Sequence, residues 1–424
     1  MKFRYPSFDH DVPVQLRTGF IHLYMDIFWF GVLNGSAMSF ISVYIARIGG
    51  TEAHIGLLGA LPAIATLMFV LPAGTWLQRG DNDRKVVISS VLYRIFYLLW
   101  VPLPLLFINN VQIELILVIT FVMSIPGTVL QVGFNQLFAE SVPVEWRGYV
   151  AGIRNAVFAL MAIVVSLLCG MILSSVSFPF NYQIVFGIGC VGAMMSSLHL
   201  WLLTKRQKIL LGTSSSNVRK GLEKMRPVVN LKKNQFTRFD WPEFKENKHF
   251  YTVMLLLFTF HTAQYLSIPV MPVFWVKNLH LTDSNISIGN GVFFFTVFIG
   301  STLLSRLTSK YRNKNIVGIG AMLMALYPGI MAFSTNAVTF YIASLAGGFA
   351  WALAGGILVN YLLEKIPEDT RPPFLAIYNM VFFTAVLIGS LGGPVIGNLV
   401  GLPITLLICG LLRITTGAAI FWKG

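Results

Sequence analysis

FAESVPVEWRGYVAGIRNAVF at Phe138–Phe158 recurs 224 positions later as LLEKIPEDTRPPFLAIYNMVF at Leu362–Phe382. Each copy is a short charged turn between two long apolar runs, which is the pattern of a turn joining two membrane-spanning helices. The chain is therefore predicted to contain one module twice. The ungapped register pairs Glu140 with Glu364, Pro143 with Pro367, Arg147 with Arg371, Ile153 with Ile377, Asn155 with Asn379 and Phe158 with Phe382.

The composition is that of an integral membrane protein. Hydrophobic residues make up 55% of the 424, charged residues make up 11%, and the mean hydropathy is +0.71. A soluble domain of this length could not bury so much apolar surface. Cys169, Cys190 and Cys409 fall inside apolar runs, so we interpret them as packing residues and predict no metal site. The apolar stretch after Arg17 is too long for a signal peptide and is predicted to stay as the first span.

Windows of about 20 apolar residues predict twelve membrane spans, six on each side of a polar segment. The fold class is thus an all-α polytopic membrane protein, with an N-terminal six-helix bundle at 1–204, a cytoplasmic basic linker at 205–249 and a C-terminal six-helix bundle at 250–424. The spans are predicted at 18–46, 55–78, 86–107, 113–138, 149–174, 182–203, 250–276, 287–305, 316–334, 338–363, 373–398 and 402–421.

Lys and Arg are concentrated in one set of loops. Only Arg47 and Lys277 fall in loops of the other set, while the segment Lys205 to Lys248 alone has twelve basic residues and four acidic ones. Because basic residues near span ends stay on the cytoplasmic side, we expect both termini in the cytoplasm and the protein in the plasma membrane. The linker is expected to lie along the anionic inner leaflet. The basic balance thus reflects topology, and no nucleic-acid partner is predicted.

Two loop motifs resemble those of the major facilitator superfamily. The loop Gly74-Thr-Trp-Leu-Gln-Arg-Gly-Asp-Asn-Asp-Arg-Lys85 resembles the superfamily's signature after span 2, and the repeated Glu-x-x-Pro-x-x-x-Arg turn resembles its 4–5 and 10–11 loops. The first motif departs from the pattern at Gln78, where the family usually has Asp, and at Asp81 and Asn82. The resemblance implies two bundles that rock around a cavity lined by spans 1, 4, 7 and 10.

The charges of these loops suit a cytoplasmic gate. Carboxylates and arginines of neighbouring loops can pair in one access state and separate in the other. The alternative is that they are ordinary charges that position helix ends. The predicted gate residues are Gly74, Arg79, Arg84, Glu140, Arg147, Glu364 and Arg371.

Four ionisable residues inside spans are candidate functional residues, because charge within a membrane is costly. Asp26, Arg94, Arg154 and Arg413 lie about 10–15 Å from the cytoplasmic face at about 1.5 Å per helical residue. One hypothesis makes Asp26 a coupling site that exchanges a proton as an arginine or the substrate competes for it. The alternative is a permanent ion pair with Arg94 or Arg154. The resemblance places Arg94 in a peripheral span, so Arg154 is favoured for the cavity.

A second proton candidate is His261 in span 7, although a lone histidine is more often a hydrogen-bonded core residue. Amide, hydroxyl and aromatic side chains on spans 1, 4, 7 and 10 are candidates for the cavity wall, and they suit a neutral or amphipathic solute. They also serve to join helices by hydrogen bonds. The cavity candidates are Asn34, Ser36, Gln131, Asn135, Gln264, Tyr265, Trp351 and Asn360.

No phosphate-binding loop, metal-ligand cluster or nucleophile constellation is present in the sequence, so we predict neither an enzyme nor a cofactor. The predicted function is secondary transport of a small organic solute by alternating access, with proton-coupled export of amphipathic compounds as the leading hypothesis. Uptake of a sugar-like or other metabolite is the alternative. A non-transporting sensor or assembly factor and a lipid flippase are alternatives of another class. The expected partners are the solute, protons and membrane lipids, and the expected state is a monomer.

Overall fold

In the computed structural model, which describes residues 14–213, 248–366 and 371–424, the regular secondary structure of these residues is helical throughout. Twelve helical segments in this part of the chain are long and apolar enough to span a membrane. The all-α polytopic fold predicted from the sequence is therefore confirmed. Most of the linker, residues 214–247, lies outside the described residues.

We number the twelve spans α1–α12, including the short helices that continue a span. The N-terminal half contains α1 (Val14–Leu33, Asn34–Met38 and Ser39–Arg47), α2 (Glu52–Leu77), α3 (Asn82–Trp100 and Leu103–Leu106), α4 (Asn109–Ser141), α5 (Val144–Ser175) and α6 (Phe180–Thr213). The C-terminal half contains α7 (Lys248–Ser267, Val270–Val273 and Phe274–Asn278), α8 (Asp283–Lys310), α9 (Asn313–Leu323 and Leu326–Ala332), α10 (Ala337–Leu363), α11 (Arg371–Val400) and α12 (Leu402–Lys423).

Polar residues and one glycine set several helix ends. The side chains of Asp81, Thr282 and Asn336 each accept a hydrogen bond from a backbone N–H in the first turn of α3, α8 and α10, at 3.1–3.2 Å. Such caps satisfy donors that have no partner within the helix. Gly401 separates α11 from α12 with a φ of +83°, a conformation that glycine adopts without a steric penalty. Residues next to the helix ends thus determine where these short turns between spans begin and end.

The first helix of each half contains a π-helical turn, at Asn34–Met38 in α1 and at Phe274–Asn278 in α7. Such turns are rare and occur often at functional sites. In α1 the turn lies against α5, and a Cβ on Gly35 would stand 2.7 Å from the carbonyl oxygen of Ala162. A glycine is therefore required for this close approach of the two helices.

The two halves pack by the same scheme. In the N-terminal half α1 packs on α5 and α6, α3 packs on α4 and α6, and α2 packs on α4; in the C-terminal half α7, α8 and α9 make the equivalent contacts with α10, α11 and α12. Between the halves, α2 packs on α11 and α5 packs on α8, so these contacts are also related by the pseudo-twofold axis. The repeat found in the sequence thus corresponds to a repeat in three dimensions.

The halves approach each other most closely away from the basic loops. We call the side with the α2–α3, α4–α5, α8–α9 and α10–α11 loops the basic face, and the other side the opposite face. Gly56, near the start of α2 at the opposite face, leaves no room for a Cβ against the carbonyl of Ser390 in α11, and Gly170 of α5 leaves none against Ser287 of α8. Small residues allow this direct contact of helix backbones.

The hydrophobic core of the N-terminal half has two parts. One cluster, with Phe40, Tyr44 and Phe186, lies toward the opposite face, and another, with Phe20 and Leu77, lies toward the basic face. A polar layer with Asp26, Arg94 and Arg154 separates them.

Candidate functional site

A cavity of about 600 Å³ lies in the polar layer of the N-terminal half. Helices α1 to α5 supply most of its wall, and Leu200 of α6 and Phe383 of α11 complete it. Asn135 in the wall is only six residues before the end of α4 at Ser141, or about 9 Å along the helix. The cavity therefore lies in the half of the bundle nearer the basic face, and its size suits a metabolite-sized molecule.

Asp26 is the one carboxylate among the described residues that line the cavity, and it is 3% exposed. One of its oxygens accepts the hydroxyl of Ser196 at 2.5 Å, and the other accepts Nη2 of Arg154 at 3.2 Å. Nη2 of Arg94 forms a longer ion pair with Asp26 at 3.6 Å. One buried carboxylate thus faces two buried guanidinium groups, and the cluster has one positive charge in excess.

Arg154 is held by both charge and aromatic contacts. Its Nη1 donates to the carbonyl of Leu23 at 2.7 Å, and its guanidinium lies over the ring of Phe134 at 4.8 Å. Because α1 and α5 pack directly, Arg154 can reach both Leu23 and Asp26 on α1. The guanidinium is therefore fixed in the wall of the cavity, as the sequence analysis favoured.

Arg94 also lines the cavity, although the resemblance placed its span at the periphery. Its Nη1 donates to the hydroxyls of Ser90 at 2.8 Å and Ser197 at 3.2 Å, and its Nε is buried with no hydrogen-bond partner among the described residues. The guanidinium stands 5.9 Å from the centre of the Phe30 ring. A long arginine on α3 thus reaches inward between α1 and α6, which the helix's position in the bundle alone did not indicate.

The neutral polar groups of the wall differ in what they can still offer. The hydroxyls of Thr66, Ser124 and Thr128 each donate to a carbonyl of their own helix at 2.5–2.9 Å, so they remain as acceptors. The amides of Gln131 and Asn135 are exposed in the cavity wall. These two amides, both expected from the sequence, are neutral donors available to a bound molecule, whereas the three hydroxyls were not anticipated.

Sequence comparison extends this picture to the whole chain. The sequence model of the Major Facilitator Superfamily matches residues 27–266 and 253–423. The chain belongs to the major facilitator superfamily. It is a multi-pass membrane transporter of that family, as the two loop motifs and the internal repeat predicted. No curated protein matches the chain significantly by sequence.

Solved structures of the major facilitator superfamily share this fold. The chain is similar to a mutant of the nucleoside transporter NupG with a TM-score of 0.68 and 13% identity, over 96% of this chain and 99% of that one. It is similar to a D-xylose-proton symporter with a TM-score of 0.69 and 16% identity, over 96% of each chain. The xylose transporter XylE from E. coli, partially occluded and inward open, gives a TM-score of 0.68 and 15% identity, over 96% and 97%. At such identities the likeness shows the fold.

Charged groups join the two superfamily halves at the opposite face. Arg47 at the end of α1 forms a 3.0 Å ion pair with Asp283 at the start of α8, and its Nη2 also donates to the carbonyl of Leu281. Lys277 of α7 donates to the carbonyl of Gly50 at 3.0 Å. We call Arg47, Asp283, Lys277 and Gly50 the opposite-face latch. The latch was not predicted from the sequence, because all four look like ordinary residues of helix ends.

The predicted gate residues of the basic face make contacts within their own halves. Arg147 donates to the carbonyls of Val142 at 3.1 Å and Ala139 at 2.7 Å, while Glu140 accepts the amide of Gln136 at 2.9 Å. Glu364 accepts from Asn313 at 2.7 Å.

The other predicted gate residues surround the ends of α2 and α11. Gly74 lies in the last turn of α2, Arg79 and Arg84 are exposed around the α2–α3 loop, and Arg371 is the first residue of α11. Asp81 caps α3 through the N–H of Arg84. Their role in a gate stays a prediction.

The C-terminal half has a neutral counterpart of the charged cluster. Nε2 of His261 on α7 lies 3.2 Å from the hydroxyl of Tyr378 on α11, and Nδ1 of His261 is buried without a hydrogen-bond partner in the described ranges. The histidine ring meets Phe382 edge-on at 4.7 Å. Arg413 lies in this half too, with Nη2 on the hydroxyl of Ser267 at 2.6 Å. Within the part of the chain that the structure describes, no carboxylate lies within 4.0 Å of Arg413.

The remaining cavity candidates lie outside the wall of this cavity. Ser36 donates to the carbonyl of Val32 at 2.6 Å, and Asn34 accepts the hydroxyl of Ser39 through its carbonyl. Tyr265 packs on Phe382, and the side-chain oxygen of Gln264 is buried without a partner among residues 14–213, 248–366 and 371–424. Trp351 packs against the C-terminal core and Asn360 is exposed. Their contact with a solute stays a prediction.

Proposed function

We propose that the chain moves a small amphipathic organic solute across the membrane by alternating access, and that export is coupled to protons. The observation that carries the proposal is the cavity in the polar layer of the N-terminal half, whose wall combines Phe30, Phe134 and Phe383 with amides and a buried charge cluster. Apolar walls with a few fixed polar groups are typical of sites for small organic molecules. The fold shared with nucleoside and xylose transporters supports transport of a metabolite-sized solute.

Alternating access requires that each face can close in turn. The opposite-face latch ties α1 to α7 and α8, while Arg147 and Glu364 at the basic face bond within their own halves. This arrangement suits a state that is closed at the opposite face. In the other state the latch separates, and the gate residues of the basic face pair across the two halves.

Coupling is assigned to Asp26. In the structure Asp26 is shared between Arg154 and Arg94. Because Asp26 is shared between both guanidinium groups, a change in its protonation would change the binding of a solute to them, so binding of a proton and binding of a solute are linked. A permanent ion pair would instead leave flux independent of the charge on Asp26.

Uptake of a sugar-like metabolite is the second candidate, and the free amides of Gln131 and Asn135 favour it. Hydroxylated solutes need neutral donors and acceptors at fixed positions, and these two amides lie one helical turn apart on α4. For such a solute, Gln131→Ala and Asn135→Ala should reduce transport more than Asp26→Asn. For an amphipathic export substrate the order should be reversed.

The test uses purified protein in vesicles with an imposed pH gradient and a panel of fluorescent amphipathic compounds, pentoses, hexoses and nucleosides. We expect flux of one class, driven by the gradient, and loss of that pH dependence in Asp26→Asn. Unchanged flux and unchanged pH dependence in a folded Asp26→Asn protein would refute the coupling role. If no panel member is transported but labelled lipids cross the bilayer, the flippase hypothesis replaces this proposal.

The proposed membrane is the plasma membrane, with the basic face in the cytoplasm and the protein as a monomer. The basic loops support this orientation through the positive-inside rule. Single cysteines placed at Arg79 and at Gly49, in a variant without Cys169, Cys190 and Cys409, should react with an impermeant thiol reagent only from inside and only from outside cells, respectively. The reverse pattern would overturn the orientation.

A further inference from the structure

We propose that the solute is an organic anion, and that its anionic group binds Arg94 in place of Asp26, beside the Asp26–Arg154 pair. This inference rests on the proposed function, since it names the substrate class of the same cavity. The cavity wall has more positive than negative charge. One of its two guanidinium groups, that of Arg94, lacks some hydrogen-bond partners among the described residues.

The charged residues of the cavity have a positive net charge. Asp26, Arg94 and Arg154 are 3%, 4% and 8% exposed, and Asp26 is the acidic member of the described cavity lining. A buried charge without a counter-ion is costly, so a site with two guanidinium groups and one carboxylate is electrostatically incomplete. With Asp26 ionised, a monoanion in the cavity would bring the charge of the cluster to zero.

The guanidinium of Arg94 has an incomplete set of hydrogen-bond partners. Its separation from Asp26 is 3.6 Å, longer than a hydrogen bond, and its other contacts are the neutral hydroxyls of Ser90 and Ser197. Its Nε has no partner in the described part of the chain. A guanidinium offers five donors in a planar fork that matches carboxylates, sulfonates and phosphates. Arg94 therefore has both the free donor and the excess charge to bind such a group.

A ligand that binds Arg94 competes with the carboxylate of Asp26. The carboxylate of Asp26 already takes Ser196 at 2.5 Å and Arg154 at 3.2 Å, so it remains bonded if the longer contact with Arg94 is given up. A ligand can thus take Arg94 without leaving Asp26 unpaired. Removing the charge of Asp26 would in turn remove its competition for both arginines.

The volume and the apolar wall of the cavity indicate the size and character of the solute. About 600 Å³ exceeds what an inorganic ion needs, and the rings of Phe30, Phe134 and Phe383 offer an apolar surface beside the arginines. Free amides of Gln131 and Asn135 complete the polar side. The geometry thus fits an organic anion with an apolar or aromatic body.

The test compares probes that differ in charge but not in shape, added to the purified full chain. The pairs are toluenesulfonate with toluenesulfonamide and glucuronate with glucose, and sodium sulfate serves as an inorganic anion. Binding is measured by calorimetry and by the rise in unfolding temperature, since a ligand of the native state raises apparent stability. We expect at least one organic anion to bind, and its neutral partner to bind about tenfold or more weakly.

Two variants are expected to change anion binding in opposite directions, which misfolding alone could not produce. Arg94→Gln should weaken binding of the anion about tenfold or more, so that the preference for the anion over its neutral partner is lost. Asp26→Asn should strengthen binding of the anion, although the unliganded variant is less stable. Arg413→Gln is the matched control, because Arg413 is equally buried but lies in the other half, and it should not change anion binding.

The outcomes separate the two proposals. The anion inference would be overturned if the neutral probes bound more tightly than the anions, or if sulfate alone bound. It would also be overturned if Asp26→Asn weakened anion binding, or if neither organic anion bound. Transport of a neutral solute through the cavity would overturn it as well, while the proposed transport function would stand. The transport function itself fails only in the vesicle assay, if no solute crosses.

Discussion

The fifth helix of each half contacts the first helix through a charged pair in one half and through a neutral pair in the other. Arg154 on α5 and Tyr378 on α11 are aligned in the internal repeat, and each reaches the first helix of its own half. Arg154 bonds Asp26 at 3.2 Å beside the cavity, whereas Tyr378 bonds His261 at 3.2 Å among the aromatic rings of Phe382 and its neighbours. The aligned position on the fifth helix thus contacts the first helix in both halves, with different chemistry.

The difference separates what the fold needs from what a site needs. A neutral hydrogen bond is sufficient to join the first and fifth helices of a half, as His261 and Tyr378 show. Three buried charges bring a desolvation cost that helix packing does not require. The charged cluster is therefore better explained by binding and coupling than by the contact between these two helices, for which the His261–Tyr378 pair is the internal comparison.

The largest expected effect comes from breaking the charged pair on one side. Arg154→Met removes the closer guanidinium and leaves the buried Asp26 with Ser196 and the distant Arg94. Breaking a buried ion pair in this way typically costs about 3–5 kcal/mol of stability. Equilibrium unfolding in mixed detergent micelles would measure the loss. A cost below about 1 kcal/mol would mean that the charge on Asp26 is not paired as the structure shows.

Arg413→Met is the matched control in the C-terminal half. Arg413 is 5% exposed and bonds the carbonyl of Met324 and the hydroxyl of Ser267, so its removal leaves no charge unpaired among the described residues. We expect a loss of about 1–3 kcal/mol, smaller than that of Arg154→Met. Equal losses in the two variants would show that burial of an arginine, and not its pairing with Asp26, decides the cost.

A second charged contact, the opposite-face latch, lies at the other side of the membrane from the basic face. Arg47→Ala removes the ion pair with Asp283 and the bond to Leu281, and should destabilise the state closed at this face by about 2 kcal/mol, or about thirtyfold in the population ratio. A cysteine at Gln131, in a variant without the three native cysteines, reports access to the cavity. Its reaction with an impermeant reagent from the opposite face should accelerate. Arg47→Lys should restore part of the closure, and an unchanged rate would exclude a gating role.

Much of the fold was predictable because its signals are local. Apolar runs of about 20 residues defined the twelve spans, and the repeated hinge at Phe138–Phe158 and Leu362–Phe382 defined the two halves. Helix ends differed from the predicted span ends, most of all in α6, which continues to Thr213 where span 6 was predicted to end at 203. Such ends depend on capping and on packing that a hydropathy window does not contain.

The site was less predictable because it depends on distant residues. Asp26, Arg154, Gln131 and Asn135 stood out as polar groups within spans, but Arg94 was placed away from the cavity by its helix. The length of its side chain lets it reach inward all the same. The latch joins Arg47 to Asp283 across 236 positions, and each is an ordinary charge at a helix end. Without a three-dimensional arrangement, neither contact has a sequence signal.

The neutral pair predicts a smaller effect than the charged one. Tyr378→Phe removes one hydrogen bond from His261 and should cost about 1 kcal/mol, while the edge contact with Phe382 remains. Solute binding in the N-terminal cavity should not change. If Tyr378→Phe abolished pH-dependent flux instead, His261 would be a proton site and the contrast between the halves would fail.

The smallest expected effect concerns the basic face. Arg147 bonds the carbonyls of Ala139 and Val142 in this structure, so it contributes little to the contact between the halves in this state. If Arg147 and its repeat partner Arg371 pair with carboxylates only when the basic face closes, then Arg147→Ala together with Arg371→Ala should favour the state seen here by up to about 1 kcal/mol. The cysteine at Gln131 should then react more slowly from the opposite face, against the direction expected for Arg47→Ala. Equal rates with and without the double substitution would reduce both arginines to charges that position helix ends, and gating would then rest on the opposite-face latch.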